Sequence, residues 1–204
     1  PARLLTEDVR RLQVLVAELL ELAHFDAGHE QARLERLCLA EALRALTRSW
    51  DGSAPVHLDA DDDVFMLADR ARFKRVVGNL LDNARTYGGD GVEVRGYQDG
   101  DRVVVEVHDR GPGIDEADLE RVFDRFFKGD HSRSTGGSGL GLAIALENAR
   151  LQGGHLSAHN LEGGGACFSF TLRAAPATCC AEGEHGAGES GRGASAHLQR
   201  SHDL

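Results

Sequence analysis

The chain has 204 residues, 41% of them hydrophobic and only 5% aromatic, and its 23 Lys plus Arg against 33 Asp plus Glu give a net charge of -10. That size supports one ordinary core plus an accessory element, while the acidic balance excludes a general nucleic-acid surface, which needs a basic footprint. No run of roughly 18 apolar residues occurs, so no segment reads as a membrane span, and the four cysteines form no disulfide framework and fit a reducing compartment.

The chain starts at Pro1 rather than a methionine, which suggests a segment of something longer. The first periodic signal is Leu5, Val9, Leu12, Val16, Leu19 and Ala23, spaced alternately by four and three residues. This is a heptad-type helical seam, and Leu15, Leu20 and Leu22 widen it towards the face of a helical hairpin or four-helix dimer. A single helix cannot bury such a face, so the seam implies a missing helix or a second chain, with docking on the following domain as the plainer alternative. Asp26-Ala27-Gly28 closes the helix, with Gly28 as a left-handed cap, and residues 29–33 form a linker.

Leu34, Leu37 and Leu39 mark a short strand, followed by a helix from Glu41 to Trp50 and a turn at Asp51-Gly52-Ser53-Ala54-Pro55. Short strands at Val56 to Leu58 and Val64 to Leu67 flank an acidic turn. Asp69 caps a helix whose apolar positions Phe73, Val76, Val77, Leu80, Leu81 and Ala84 recur with a 3.6-residue period. Val92 to Tyr97 and Arg102 to His108 form a hairpin. A short helix from Glu116 to Val122, a polar glycine-rich segment from Asp124 to Gly137, a helix from Leu140 to Leu151 and strands His155 to Asn160 and Ala166 to Leu172 complete the domain. The order gives an α+β fold, a two-layer sandwich with helices on one face of a mixed sheet. Residues 175–204 lack periodicity and read as a disordered tail; the tail cysteines Cys179 and Cys180 and the histidines near them match no familiar metal spacing.

Three segments can carry chemistry. Asn79 and Asn83 are four apart on one helical face, where two carboxamide oxygens can meet a hard cation such as Mg²⁺ without adding charge; a merely polar solvated face is the bland alternative. Arg75 and Asp82 lie close enough to bond ligand, metal waters or one another. Asp109-Arg110-Gly111-Pro112-Gly113-Ile114 follows a strand directly, so Asp109 can accept a hydrogen bond from an exocyclic amine such as that of adenine, although a surface turn would look the same. Gly137-Ser138-Gly139-Leu140-Gly141-Leu142 opens a helix, where small residues expose backbone amides to a polyphosphate at the positive end of the helix dipole. It is neither the dinucleotide fingerprint nor a P-loop, since the required Lys-Ser or Lys-Thr is absent. Between them, Phe123, Phe126 and Phe127 can anchor a lid that brings Arg125, Lys128 and Arg133 to a phosphate, or can simply be core.

Together these segments resemble the histidine-kinase branch of the ATP-binding fold shared with gyrase, Hsp90 and MutL. The similarity rests on Asn79-Leu80-Leu81-Asp82-Asn83-Ala84, Asp109-Arg110-Gly111-Pro112-Gly113-Ile114, Phe123-Asp124-Arg125-Phe126-Phe127 and Gly137-Ser138-Gly139-Leu140-Gly141-Leu142, which are individually weak but specific in this order. The resemblance implies a Bergerat-type ATP-binding domain over residues 34–174, preceded in residues 1–28 by the second helix of a dimerisation and phosphoacceptor hairpin. It makes Asn83 the principal Mg²⁺ ligand, Asn79 a metal or phosphate contact and Asp109 the reader of the adenine amine. Gly111 and Gly113 would shape the base wall, and Gly137, Gly139, Leu140 and Gly141 would surround the phosphates. Lys128 and Arg133 would serve the lid, and Tyr87 would flank the nucleotide. Thr86 stands where the family often has a basic residue, with Arg85 about 100° away round the helix, and Ala166 replaces a common hydroxyl.

The resemblance further implies a homodimer through the first helix in the intact protein, with the isolated segment able to be monomeric, and a response regulator as partner. No nucleic acid and no membrane contact are expected of this cytoplasmic segment, whereas the intact protein would be anchored in the bacterial membrane. The acceptor histidine belongs to a preceding helix and His24 does not replace it, so the chain is expected not to phosphorylate itself. The readings left open are an anti-sigma-type serine kinase and a non-catalytic nucleotide-binding module.

Overall fold

In the computed structural model the described residues are 2–28, 30–50, 55–89, 91–129 and 137–176, with the side chains of 2–5 and 7 left aside. The elements are α1 (Ala2–Asp26), β1 (Glu35–Cys38), α2 (Leu39–Ser49), β2 (Val56–Ala60), β3 (Phe65–Ala68), α3 (Arg70–Tyr87), β4 (Val92–Asp99), β5 (Arg102–Asp109), α4 (Gly141–Leu151), β6 (His155–Asn160) and β7 (Ala166–Arg173). Five strands form one sheet in the order β2-β4-β5-β7-β6, with β2 parallel to β4 and the other neighbours antiparallel. β1 and β3 pair in a separate two-stranded ribbon, joined through a bridge from Met66 to Ala174, just past the end of β7. The two short strands flanking the acidic turn therefore belong to different sheets.

Strand alternation decides which face is covered. Val94, Val103, Val105, Val107, Ala166, Phe168, Phe170 and Leu172 are buried in one core with Phe73, Val76, Val77, Leu80 and Leu81 of α3 and Leu39 and Leu43 of α2. Complete burial of each large side chain contributes about 1.5–3 kcal/mol. Gly96 lets α2 approach the sheet, since a Cβ there would sit 2.8 Å from Leu43 Cδ1. The same period of two carries Asp109, at the end of β5, onto the helix-covered face, where it is 4% exposed.

The Asp69 cap forms as expected. Its Oδ1 accepts the backbone N–H groups of Ala71 and Arg72, and its Oδ2 that of Arg33, tying the first linker to α3. Burial alone would raise the Asp69 carboxyl, but these backbone donors and the Arg72 charge outweigh it and hold its pKa below the ordinary value.

Gly28 ends α1 with φ of 68°. The helix docks through Leu15 and Leu22, two of the three residues that broadened the seam, joined by Phe25, while the third, Leu20, stays exposed. Leu22, Leu15 and Phe25 pack against Leu140 and Ile144 at the start of α4, whereas Val9, Leu12, Val16 and Leu19 are 41–61% exposed. Docking on the following domain, the plainer alternative, thus holds for one flank of the helix, while the seam residues themselves lie open. Glu21 secures the docking by accepting from Nε and Nη2 of Arg75 and from Asn148 Nδ2.

The helix expected from Glu116 to Val122 reduces to a 3₁₀ turn, Glu116–Asp118, capped by Asp115. The segment continues with three-residue closures from Arg121 N to Asp118 O and from Asp124 N to Arg121 O and a single four-residue closure from Val122 N to Asp118 O, too few to make an α-helix.

Candidate functional site

A cleft of about 1200 Å³ opens between the C-terminal half of α3, the start of α4 and the loop after β5. Its walls include Asn79, Asn83 and Tyr87 from α3, Asp109 at the strand end, Gly113 in the following loop, Lys128, and Gly137, Gly139 and Gly141 before α4. Segments far apart in the sequence thus converge on one concave surface.

Asp109 is the most constrained of these groups. Among the described residues, its hydrogen bonds are both accepted by Oδ1, from Gly111 N at 2.9 Å and Ala166 N at 3.2 Å. Oδ2 is left to act as acceptor for a ligand donor. The carboxylate sits in a cradle of glycine backbone that a side chain would fill. A Cβ at Gly165 would lie 2.1 Å from Asp109 O, and one at Gly88 2.4 Å from both Asp109 Cβ and Ala84 O. A Cβ at Gly111 would meet Tyr87 O at 2.2 Å, so Gly111 supports Asp109 from behind and does not itself line the cleft. Gly88, the C-cap of α3, and Gly165 were missed in the sequence, where nothing but a glycine turn marks them. Asn160 was missed as well. Its amide makes paired bonds to Ile114, accepting from N at 2.7 Å and donating to O at 2.6 Å, and so pins the glycine loop to β6.

Asn79 and Asn83 line the cleft together, opposite the first turn of α4. Asn79 Nδ2 is buried without a hydrogen-bond partner among the described residues, a condition that costs about 1–3 kcal/mol and is relieved by an acceptor. A phosphate oxygen would supply one, while carboxamide oxygens suit a hard divalent cation. The donor set on this face therefore fits a polyphosphate with its metal. Gly141 keeps the opposite wall low, since a Cβ there would stand 3.6 Å from Asn79 Oδ1.

Other residues depart from expectation. Leu140 is fully buried against Leu22 and Ile144, and its N–H donates to Ser138 Oγ, so its side chain takes no part in the cleft. Arg75 faces α1 and binds Glu21, and the pairing with Asp82 does not form; Asp82 instead accepts from Trp50 Nε1 and lies near Arg85. Arg85 lines the cleft even so, beside Thr86, whose hydroxyl bonds back to Asp82 O. Arg133 lies outside the described residues.

The three phenylalanines divide their work. Phe123 packs edge-on against Phe168 at 6.4 Å, and Phe127 lines the cleft beneath the Arg121 guanidinium. Phe126 is 60% exposed and is no anchor; it adopts a φ of 63°, unusual for a bulky residue, while its N–H donates to Gly139 O. Arg125 does not face the cleft but forms a bidentate pair with Asp26 at the end of α1, which raises the guanidinium pKa and lowers that of the carboxyl. The unexpected wall is α1 itself. Leu12, Leu15 and Glu18 border the cleft, and Glu18 is 9% exposed.

A two-layer sandwich with an amide-bearing helix, a carboxylate at a strand end and a glycine-lined helix start defines the class of ATP-binding domains built on the Bergerat plan. Comparison with known proteins gives the family. Residues 68–176 match the model for histidine kinase-, DNA gyrase B- and HSP90-like ATPases, and the chain belongs to that family, in its histidine-kinase branch. It is 41% identical over 173 residues to the signal transduction histidine-protein kinase AfsQ2 of Streptomyces coelicolor, covering 83% of this chain and 32% of that protein. Among solved structures it is similar to full-length ShkA in complex with AMPPNP, with a TM-score of 0.70, 27% identity, and 81% of this chain and 36% of that one covered. It is also similar to the histidine kinase ThkA in complex with the response regulator TrrA, with a TM-score of 0.66, 25% identity, and 84% and 49% covered. The chain spans about a third of the length of the curated relatives it matches.

Proposed function

We propose that this chain is the ATP-Mg²⁺-binding catalytic part of a sensor histidine kinase, which transfers the γ-phosphoryl group of ATP to a histidine on a helix other than α1, for relay to a response-regulator aspartate. The observation that carries this reading is the buried Asp109 carboxylate, held by two backbone N–H donors with an oxygen to spare, in the cleft that Asn79 and Asn83 line from the other side. Asp109 accepts the adenine amine, and the glycine loop pinned by Asn160 shapes the base wall. Tyr87 flanks the nucleotide, and the amides of the Gly137–Gly141 stretch, together with Lys128, receive the phosphates. Arg133 is the remaining lid cation. Asn83, with Asn79 beside it, would hold Mg²⁺, which when bound offsets phosphate charge during transfer. Asn79 Nδ2 donates to a phosphate oxygen.

The seam of Val9, Leu12, Val16 and Leu19 would dimerise and receive the phosphoacceptor helix. ThkA's complex with TrrA supports a response regulator as the downstream partner. No helix among the described residues is long and apolar enough to cross a membrane; the segment would lie on the cytoplasmic side of a membrane-anchored protein. Incubating the purified chain with γ-labelled ATP tests the assignment: nucleotide should bind while the chain stays unlabelled. Stable acid-labile label on the chain would place the acceptor within it, and absence of binding would remove the nucleotide assignment.

A further inference from the structure

The uncovered face of the large sheet carries a second cluster of chemistry. Strand register sets His57, Glu93, His108, Cys167 and His159 side by side in one row across all five strands. Glu106 stands two residues along β5 from His108, on the same face. Direct neighbours in such a row have Cβ atoms about 4.5–5.5 Å apart, close enough to share a ligand.

From this arrangement we infer that Glu106, His108 and Cys167 form a binding site for a borderline transition-metal cation of the Zn²⁺ type, outside the nucleotide cleft. One ligand atom from each of the three lies within 4.8 Å of the others, and no other such group of His, Cys, Asp and Glu occurs among the described residues. Zinc bonds of about 2.0–2.3 Å to O, N and S place tetrahedral ligand atoms roughly 3.3–3.8 Å apart. His108 Nε2 and Glu106 Oε2 already lie 3.1 Å apart, so rotamer adjustment brings all three to one ion. The mixed oxygen, nitrogen and sulfur donors favour zinc over the hard cation expected beside Asn79 and Asn83. The cluster is also sheltered, with Cys167 fully buried and His108 and Glu106 side chains 14% and 19% exposed.

Tyr97 OH donates to Glu106 Oε1 at 3.1 Å and orients the carboxylate. His159, exposed on the edge strand directly opposite Cys167, is positioned to offer a fourth ligand; otherwise water completes the shell. Burial first, and then the Glu106 charge, push the Cys167 thiol up to about 12, with Arg95 pulling the other way and Asp109 adding to the rise. On coordination Cys167 Sγ releases its proton to solvent and His108 binds through a ring-nitrogen lone pair.

The test uses the whole chain, stripped of metal and without nucleotide, so its result is independent of the ATP assignment. Zn²⁺ is titrated calorimetrically, and Co²⁺ serves as a spectroscopic probe whose thiolate charge-transfer band reports sulfur ligation. One equivalent should bind with that band present, and Cys167→Ser should abolish it while Cys179→Ser/Cys180→Ser preserves it. Because Cys167 is a core position, Glu106→Gln and His108→Gln provide the second arm. Each should keep the wild-type circular dichroism and weaken Zn²⁺ by roughly tenfold or more, at least what losing an outer-shell partner costs. A missing band, a band that survives Cys167→Ser, or unchanged Zn²⁺ affinity in both Glu106→Gln and His108→Gln would overturn the site.

Discussion

Replacing Asp109 by Asn separates recognition from support. The substituted side chain would be nearly isosteric, and its amide oxygen can still accept the N–H groups of Gly111 and Ala166, which reach Oδ1 at 2.9 and 3.2 Å. The second oxygen becomes an NH₂ group, which opposes the adenine amine donor to donor. The interaction lost is a hydrogen bond to a charged acceptor, worth about 1.5–3 kcal/mol, so ATP affinity should fall roughly 10- to 140-fold at 1.4 kcal/mol per decade. Calorimetric titration with ATP and GTP, beside a thermal melt, reads both parts. The melt should barely move, and the preference for ATP over GTP should shrink. Asp109→Ala, by contrast, should lose binding and also stability, because the buried Ala166 N–H is left without its acceptor at a cost of about 1–3 kcal/mol. An Asp109→Asn variant that binds ATP with wild-type affinity would refute the assignment of Asp109 to the base.

Gly165→Ala should destabilise the fold by about 2–4 kcal/mol and weaken ATP together, since it combines a positive φ of 93° with a Cβ 2.1 Å from Asp109 O; a denaturant melt matching wild type would contradict the cradle. Asp69→Ala should cost about 1–2 kcal/mol by removing the α3 cap. The Asp69 pKa is depressed on folding, so its contribution is full above the ordinary aspartate pKa of about 3.9 and is lost as pH falls through the folded value. The stability gap between wild type and Asp69→Ala, followed by urea melts, should therefore narrow only in acid; a gap constant down to the lowest pH would count against it. Glu21→Gln should loosen α1 from α3 and α4 by leaving Arg75 without its carboxylate, read as faster amide exchange along α1 with the sheet unaffected.

Most strands, the main helices and many of the residues that line the cleft were legible because each rests on local pattern. The 3.6-residue period of α3 put Asn79 and Asn83 on the face away from Leu80 and Leu81, and strand alternation set Asp109 at the end of β5. The cradle was not legible, because Gly88 and Gly165 matter only through backbone that approaches them from β5, a contact no spacing encodes. The glycine stretch before α4 suggested a phosphate-binding turn, but not that Leu140, in its midst, would turn into the α1 contact. Aromatic spacing in Phe123-Asp124-Arg125-Phe126-Phe127 could not tell the core-facing Phe123 from the exposed Phe126, whose orientation follows from its positive φ. The periodicity of α1 marked a helix, yet the sequence alone did not say that the seam would stay open while its flank docked.

The cleft's assignment to a magnesium-loaded adenine nucleotide is tested most directly by ATP titrations with and without Mg²⁺ on the wild type, Asn83→Ala and Asn79→Ala. Mg²⁺ should strengthen binding to the wild type, Asn83→Ala should lose that gain while folding normally, and Asn79→Ala should bind more weakly with or without the metal. Equal Mg²⁺ dependence in wild type and Asn83→Ala, with the nucleotide still bound, would contradict the placement of the metal on α3.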